Sequence, residues 1–223
     1  MQTTLDFQYI IELFPILIKY LGVTMEMALL GFFLSLIFSV IIAVIRVFKL
    51  PVLHQLAGLF ISFFRGTPLL VQLFLLYYGL PQLLPVLAGI DAFTAAVLGL
   101  SLHFSAYMAE SIRAAILGID KSQMEACFSI GMTRLQAMYR IILPQASRVA
   151  TPSLMNYFID MIKSTSLAFT FGVAEIMAKA QMEAASTFKF FESFLAVAVI
   201  YWVIVIFFTR IQLFLEIRLN KAY

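Results

Sequence analysis

The chain has 223 residues, of which 63% are hydrophobic and only 12% charged, and its formal net charge is +3. This composition excludes an ordinary soluble domain, in which about 25% of residues are charged. The basic residues are scattered through apolar sequence, which excludes nucleic acid as a partner. A single cysteine, Cys127, excludes an internal disulfide, and the two histidines lie far apart, so no metal site is expected. The composition therefore predicts an integral membrane protein in a lipid bilayer.

Five apolar stretches are long enough to cross a bilayer as helices, each of which needs roughly 20 residues. Pro51 suits the start of the second stretch, and Pro81 and Pro85 mark its end. We predict an all-α protein with five transmembrane helices and an amphipathic lead-in helix within residues 1–25 on the outer surface. The predicted spans are 27–45, 50–80, 92–109, 150–174 and 193–209.

The loops between these stretches differ in charge, and loops rich in Lys and Arg stay in the cytoplasm. One set of loops is rich in basic residues: Arg46, Lys49, Lys121, Arg134, Arg140, Arg148, Arg210, Arg218 and Lys221. The other set has fewer, and acidic neighbours offset them: Lys19, Lys179 and Lys189 against Glu175, Glu183 and Glu192. We therefore expect an N-terminus outside the membrane and a C-terminus inside it.

Residues 120–143 carry the signals of two short helices around a turn. Asp120 with Gln123, or Ser122 with Glu125, would form the first capping box. Gly131 suits the left-handed position that closes a helix. A second box of Thr133 and Gln136 would start the next helix, which we expect to end near Pro144. The small residues Ala126, Cys127 and Gly131 would let another protein approach the backbone closely, and Glu125 with Arg134 or Arg140 would fix its register.

The spacing of this loop resembles the EAA loop of ABC importer permeases, which reads Glu-Ala-Ala, three residues, Gly, nine residues, Ile-x-Leu-Pro. Cys127 replaces the second Ala, and the other positions fit. The matching residues are Glu125, Ala126, Gly131, Ile141, Leu143 and Pro144. Three further segments resemble the polar amino acid branch of this family: 64–70, 105–113 and 163–167. Over roughly residues 15–218 the similarity is greatest to the cystine permeases.

The resemblance implies that residues 1–223 form one permease domain with the type I ABC importer fold, whose loop at about 120–144 holds the coupling helices. Two such subunits, identical or different, would form the pathway in a bacterial cytoplasmic membrane. Two ATPase subunits and an extracytoplasmic solute-binding protein would complete the importer. The sequence lacks the G-x-x-x-x-G-K-[ST] phosphate loop. We therefore expect no enzyme activity and no cofactor on this chain, with ATP and Mg bound by the ATPase.

Several charges lie in or near the predicted spans, where each must face protein or water. Asp160 and Lys163 are three residues apart and can pair on one helix face, and Asn156 extends this polar stripe. The stripe either lines a substrate path or is a structural ion pair. By the resemblance, Lys163 and Thr165 match a family motif, whereas Tyr157 and Asp160 fall where the family varies, which suits substrate choice.

Two other groups of residues suit structural or gating roles. Arg65 with Gly66 and Pro68 is expected to break or bend the second span, because proline removes a backbone donor. Glu110 and Arg113, three residues apart near the inner end of the third span, are expected to brace the loop that follows. His103 is expected to be a hydrogen-bonded core residue.

Two other kinds of protein remain as alternatives on the residues alone. One is a self-contained secondary transporter or channel with Asp160 and Lys163 as its ion or substrate site. The other is a membrane scaffold without transport activity. Five spans do not divide into the matched halves that secondary transporters usually have. The sequence does not specify which amino acid would be moved.

Overall fold

The computed structural model describes residues 5–220, so Lys221, one of the basic residues used to predict orientation, lies outside the described part. The regular structure of the described residues is helical. Its α-helices are α1 Phe7–Ile18, α2 Leu21–Phe48, α3 Leu53–Gly66, α4 Leu69–Phe74, α5 Leu80–Leu83, α6 Ala92–Leu117, α7 Lys121–Ser129, α8 Arg134–Ala137, α9 Leu143–Ser164, α10 Ile176–Thr187 and α11 Phe190–Asn220.

Three of these helices, α2, α6 and α11, are long and apolar enough to cross a membrane. A fourth span results if α3 and the segment from Leu69 to Leu83 count as one, although they meet at an angle of 113°. The remaining predicted span, α9, has 22 residues but carries Asn156, Asp160 and Lys163. The predicted spans thus coincide with helices, and the number of five crossings stays a prediction.

Helix α2 packs against α6 along a seam of small residues. Gly31, Ser35, Ser39 and Ala43 recur every four residues on α2 and are all buried. Small side chains let two helix backbones approach closely in a membrane. The Ser35 hydroxyl donates to the Ser101 carbonyl at 3.0 Å, and the Ser101 hydroxyl contacts the Gly31 carbonyl at 3.3 Å. This seam forms the centre of the bundle, on which α4 and α9 also pack.

The prediction for the fourth span was wrong at both ends. The helix begins at Leu143 rather than near residue 150, and it ends at Ser164, after which residues Thr165–Phe171 form a 3₁₀-helix. Helix α10 was missed, because its apolar residues are mostly alanines without a strong periodic pattern. It packs with α1 and α11 in a separate apolar cluster around Leu13, Leu17 and Ile176.

The predicted lead-in helix is α1, which is shorter than expected. Asp6 caps it by accepting the Tyr9 N–H at 3.0 Å. Lys189, beside the start of α11, donates to Asp6 at 2.7 Å, and this hydrogen bond holds the pKa of Asp6 below its usual value. The first residues of α1 are thereby fixed to the hairpin of α10 and α11.

Candidate functional site

The 120–144 loop begins with a capped helix. Asp120 is the N-cap of α7, and its Oδ1 accepts the Ser122 N–H at 2.8 Å. This bond holds the pKa of Asp120 below its usual value. Neither of the two capping boxes predicted here forms: the Asp120 side chain accepts the Ser122 N–H rather than that of Gln123, and Ser122 lies inside the helix.

Gly131 closes α7 in the left-handed conformation that the sequence predicted, with φ of +80°. The Gly131 N–H donates to the Phe128 carbonyl at 2.9 Å, and the Met132 N–H donates to the Cys127 carbonyl at 3.0 Å. These two bonds form a Schellman motif, which satisfies the last carbonyls of a helix. A Cβ at this position would meet nothing within 4 Å, so the backbone conformation alone favours glycine here.

The second capping box forms as predicted. The Thr133 N–H donates to Gln136 Oε1 at 2.9 Å, and the Gln136 N–H donates to Thr133 Oγ1 at 3.3 Å. The expected end at Pro144 is wrong, because α8 continues through a π-helix, Met138–Ile142, into α9. Pro144 is the second residue of α9 and directly follows the π-helix.

One side of the loop is buried against the ends of two long helices. Met138 and Ile142 join a cluster with Ala115 and Ile116 of α6, and Phe48 of α2 packs against it. The Arg134 guanidinium lies 5.5 Å from the centre of the Phe48 ring. Cys127 is buried with an exposed fraction of 4%, so its small size serves packing within the chain rather than contact with another protein.

The other side of the loop is an exposed surface with apolar and charged residues. Glu125, Ala126 and Pro144 are exposed, whereas Ile141 and Leu143 are partly buried. Among the described residues Glu125 makes no ion pair. A groove of about 370 Å³ follows along α7 and the start of α9, lined by Gln123, Arg140, Ile141, Pro144, Gln145 and Arg148. The large apolar side chains exposed on this side are Phe128, Ile130, Leu135 and Tyr139.

The polar stripe of α9 is exposed along one face of that helix. Asn156, Asp160 and Lys163 are all exposed, and Lys163 Nζ lies 2.6 Å from Asp160 Oδ1. The predicted ion pair is therefore present. Thr165 is fully buried and donates to the Ile162 carbonyl at 2.7 Å, so it lies apart from the stripe.

Tyr157 connects α9 to α6 beside this stripe. Its hydroxyl lies 3.0 Å from Ser111 Oγ, and its ring centre lies 6.1 Å from that of Tyr107. His103, Tyr107 and Ser111 recur every four residues, so they follow one face of α6. None of these three residues was predicted to belong to the site, although their spacing of four could have identified the face.

The charges in the half of α6 that leads into the 120–144 loop form a compact group. Arg113 Nη2 donates to Glu110 Oε2 at 2.7 Å, as the spacing of the two residues predicted. Arg46 of α2 lies 4.0 Å from the same carboxylate. Glu110 thereby braces α2 against α6 just above the loop.

The break in the second span lies where Arg65, Gly66 and Pro68 predicted it. The Arg65 guanidinium lies over the Tyr107 ring, 5.3 Å from its centre. No group of three or more His, Cys, Asp or Glu side chains in the described part of the chain could hold a metal ion.

Comparisons with known proteins agree over almost the whole chain. "Probable amino-acid ABC transporter permease protein PatM" of Vibrio harveyi is 75% identical over 98% of this chain and 98% of its own length. "Probable amino-acid permease protein YxeN" of Bacillus subtilis is 50% identical over 99% of this chain and 98% of its own. The L-cystine transport system permease protein TcyL of Bacillus subtilis is 36% identical over 99% of this chain and 94% of its own.

Solved structures share the fold. A chain in the crystal structure of an amino acid ABC transporter with histidines superposes with a TM-score of 0.89 at 35% identity, covering 97% of this chain and 100% of that one. A chain of the inward-facing MetNI methionine ABC transporter superposes with a TM-score of 0.73 at 15% identity, covering 92% and 98%, which shows the fold alone. The family model for binding-protein-dependent transport system inner membrane components matches residues 35–221, and the chain belongs to that family of ABC importer permeases.

Proposed function

We propose that this chain is the pathway-forming subunit of an importer that moves a polar amino acid inward at the expense of ATP hydrolysed by a partner. The observation that carries the proposal is the 120–144 loop, a rigid surface with exposed apolar residues at the ends of long helices. The relatives named above are permeases for amino acids, and one is a cystine permease. Cystine is therefore a specific candidate for the substrate.

The exposed side of the 120–144 loop is proposed as the docking surface for the ATPase. Ile130 and Leu135 are 77% and 74% exposed on either side of Gly131, which is more apolar surface than a solvated turn needs. Glu125 offers a carboxylate that forms no ion pair with another residue in the described part of the chain. The buried side of the loop packs on α6 and α2, so movement of a docked protein would reach the spans directly.

Further partners follow from the importer type. A second permease subunit, a copy of this chain or a different one, would complete the pathway, because closed twofold assemblies are common. A solute-binding protein would deliver substrate on the opposite side of the membrane from the loop. ATP and Mg would be bound by the ATPase subunits. Residues 1–223 would act as one permease domain in the bacterial cytoplasmic membrane.

The polar stripe of α9 is proposed as part of the substrate pathway. Its charged side chains are about half exposed, at 52% each, although they lie on a helix packed against other membrane helices. Such charges must face protein or water rather than lipid. Asp160 would attract the ammonium group of an amino acid, and Tyr157, held by Ser111, would shape the adjoining wall. Thr165, being buried, is not part of this proposal.

The orientation of the chain can be tested by labelling single cysteines. In a Cys127→Ala background, cysteines at Gln82 and Phe188 should react with a membrane-impermeant thiol reagent from outside the cell. A cysteine at Gln136 should react only after the membrane is opened, because the basic loops lie inside. All three positions are exposed, so burial would not prevent a reaction. Labelling of Gln136 from outside intact cells would contradict the proposed orientation.

Replacement of Gly131 tests both the proposed transport function and the role of the turn at Gly131 in it. The wild-type chain, assembled with its ATPase and binding protein in proteoliposomes, should take up an amino acid when ATP is supplied. Gly131→Val should insert normally but lose most uptake, because a side chain in the left-handed conformation costs about 1–2 kcal/mol. Gly131→Asn is the control and should retain uptake, since asparagine tolerates this conformation. The proposed function fails if the wild-type assembly shows no ATP-dependent amino acid uptake. Equal uptake by all three chains rejects the role of the turn.

Replacement of Asp160 tests the pathway. Asp160→Asn should change the ratio of uptake rates between cationic and neutral amino acids by about fivefold, which corresponds to ~1 kcal/mol for a partly exposed charge pair. Glu183→Gln makes the same chemical change in an ion pair on α10, where Glu183 lies 2.7 Å from Lys179, and should leave the ratio unchanged. If Asp160→Asn alters the amount of protein but never this ratio, the stripe serves packing rather than substrate choice.

A further inference from the structure

Gln72, on α4 just after the break in the second span, is buried with an exposed fraction of 4%. The two N–H groups of its Nε2 are shared among three acceptors within hydrogen-bond distance: the Phe64 carbonyl at 2.9 Å, the Thr67 carbonyl at 3.0 Å and Thr67 Oγ1 at 2.8 Å. Its Oε1 lies 2.9 Å from Nδ1 of His103 on α6. One side chain thus connects the end of α3, the elbow at residues 66–68 and α6.

These partners determine which way the side-chain amide of Gln72 is oriented, that is, where its nitrogen and its oxygen lie. The two backbone carbonyls can only accept hydrogen bonds, so the amide nitrogen of Gln72 must face them. The amide oxygen then faces His103 and can only accept, which requires a proton on His103 Nδ1. The geometry therefore selects one orientation of the glutamine and a donor at one particular ring nitrogen.

The break explains why a donor is needed at this place. In an unbroken helix the Phe64 carbonyl would accept the N–H of the residue four positions later, which here is Pro68 and has none. Gln72 Nε2 supplies the missing hydrogen. Thr67 Oγ1, which accepts from the same nitrogen, donates to the Phe63 carbonyl at 2.8 Å. Two carbonyls near the end of α3, those of Phe63 and Phe64, are thereby satisfied by protein side chains rather than by water.

The elbow meets α6 at two neighbouring points. Gln72 contacts His103, and Arg65 lies over the ring of Tyr107, one helical turn further along the same face of α6. Tyr107 in turn lies beside Tyr157, next to the polar stripe. A change in the angle of the elbow would therefore move Arg65 relative to Tyr107 and Tyr157, which lie next to the polar stripe.

We propose that Gln72 and His103 lock the elbow onto α6, and that Gln72 is a positioning residue that holds Arg65 at the wall of the transport pathway. The effect on transport rests on the function proposed above, whereas the lock itself does not. The lock predicts a coupling between Gln72 and His103 in stability, and the positioning role predicts a coupling between Gln72 and Arg65 in transport.

The first experiment measures the thermal midpoint of the purified chain in detergent, without any transport assay. Gln72→Met keeps the length of the side chain and removes its hydrogen bonds, and it should lower the midpoint by about 2–4 °C. His103→Leu breaks only the contact with Gln72 and should lower the midpoint by less. The double variant should lose little more than Gln72→Met alone, because that change has already broken the Gln72–His103 contact. Additive losses in the double variant would overturn the lock.

Two matched variants separate the lock from general damage to the fold. Asparagine and leucine side chains have nearly the same shape, but the amide nitrogen of asparagine lies the same number of bonds from Cα as Nδ1 of histidine. His103→Asn can therefore still donate to Gln72, and its thermal midpoint should be close to that of the wild type. Gln82→Met makes the change of Gln72→Met at an exposed glutamine whose side chain, within residues 5–220, bonds the Tyr78 carbonyl and no other group, and it should leave the midpoint unchanged. A midpoint for His103→Asn as low as that for His103→Leu would also overturn the lock.

The second experiment measures uptake by the assembled importer in proteoliposomes. Gln72→Met should lower the rate about tenfold, the effect of leaving buried hydrogen-bonding groups unpaired. In an Arg65→Gln background, Gln72→Met should lower the uptake rate little further, because Gln72 acts through Arg65. Losses that multiply would reject the positioning role and leave Gln72 purely structural. Absence of uptake by the wild-type importer would instead show that the proposed function fails, while the thermal midpoints still decide the lock.

Discussion

Lipid offers no hydrogen-bond partners, so every backbone group within the membrane must be satisfied inside the protein. This constraint matters most where the second span breaks at Pro68. The helix loses an internal bond there and turns by 113°, and buried Gln72 replaces what the proline removes. The seam between α2 and α6 is subject to the same constraint: the Ser35 hydroxyl donates to the Ser101 carbonyl of the facing helix, and the Ser101 hydroxyl donates to the Val97 carbonyl of its own helix while lying close to the Gly31 carbonyl. Side-chain donors thus replace, within the protein, part of the backbone bonding that the break removes.

The 120–144 loop is connected to this bundle without a flexible joint. From the cap at Thr133 the chain remains helical through the π segment and along α9 as far as Ser164. The only left-handed residue in the loop is Gly131, between α7 and Met132. A force applied beside this turn would thus reach the polar stripe through one nearly continuous helical segment. The contacts of Met138 and Ile142 with α6 offer a second route into the core.

Much of this arrangement could be predicted from the sequence, because apolar length, capping residues and glycine act locally. The elbow, the left-handed Gly131, the Thr133–Gln136 box and the pairs at Glu110 and Asp160 were all predicted from residues close together along the chain. The contacts that were missed join distant residues. Gln72 and His103 are polar residues in apolar stretches, and nothing local shows that they face each other. The wrong prediction of a helix end near Pro144 has a similar origin. Proline is found both after the end of a helix and in the first turn of the next one, and the local sequence does not show which of the two applies. Cys127 fitted a pattern of small residues, yet packing rather than spacing determines which side of α7 it occupies.

The claim on which this account depends most is that the exposed side of the 120–144 loop receives the ATPase. A photoreactive amino acid at Ile130, which is 77% exposed on that side, tests it directly in the assembled importer. Trp202 provides the control, since it is also well exposed, at 65%, but lies on α11 among residues expected to face lipid. The group at position 130 should cross-link to the ATPase subunit, and the group at position 202 should not. A complex that is active in ATP-dependent uptake but gives no ATPase cross-link from position 130 would contradict the account.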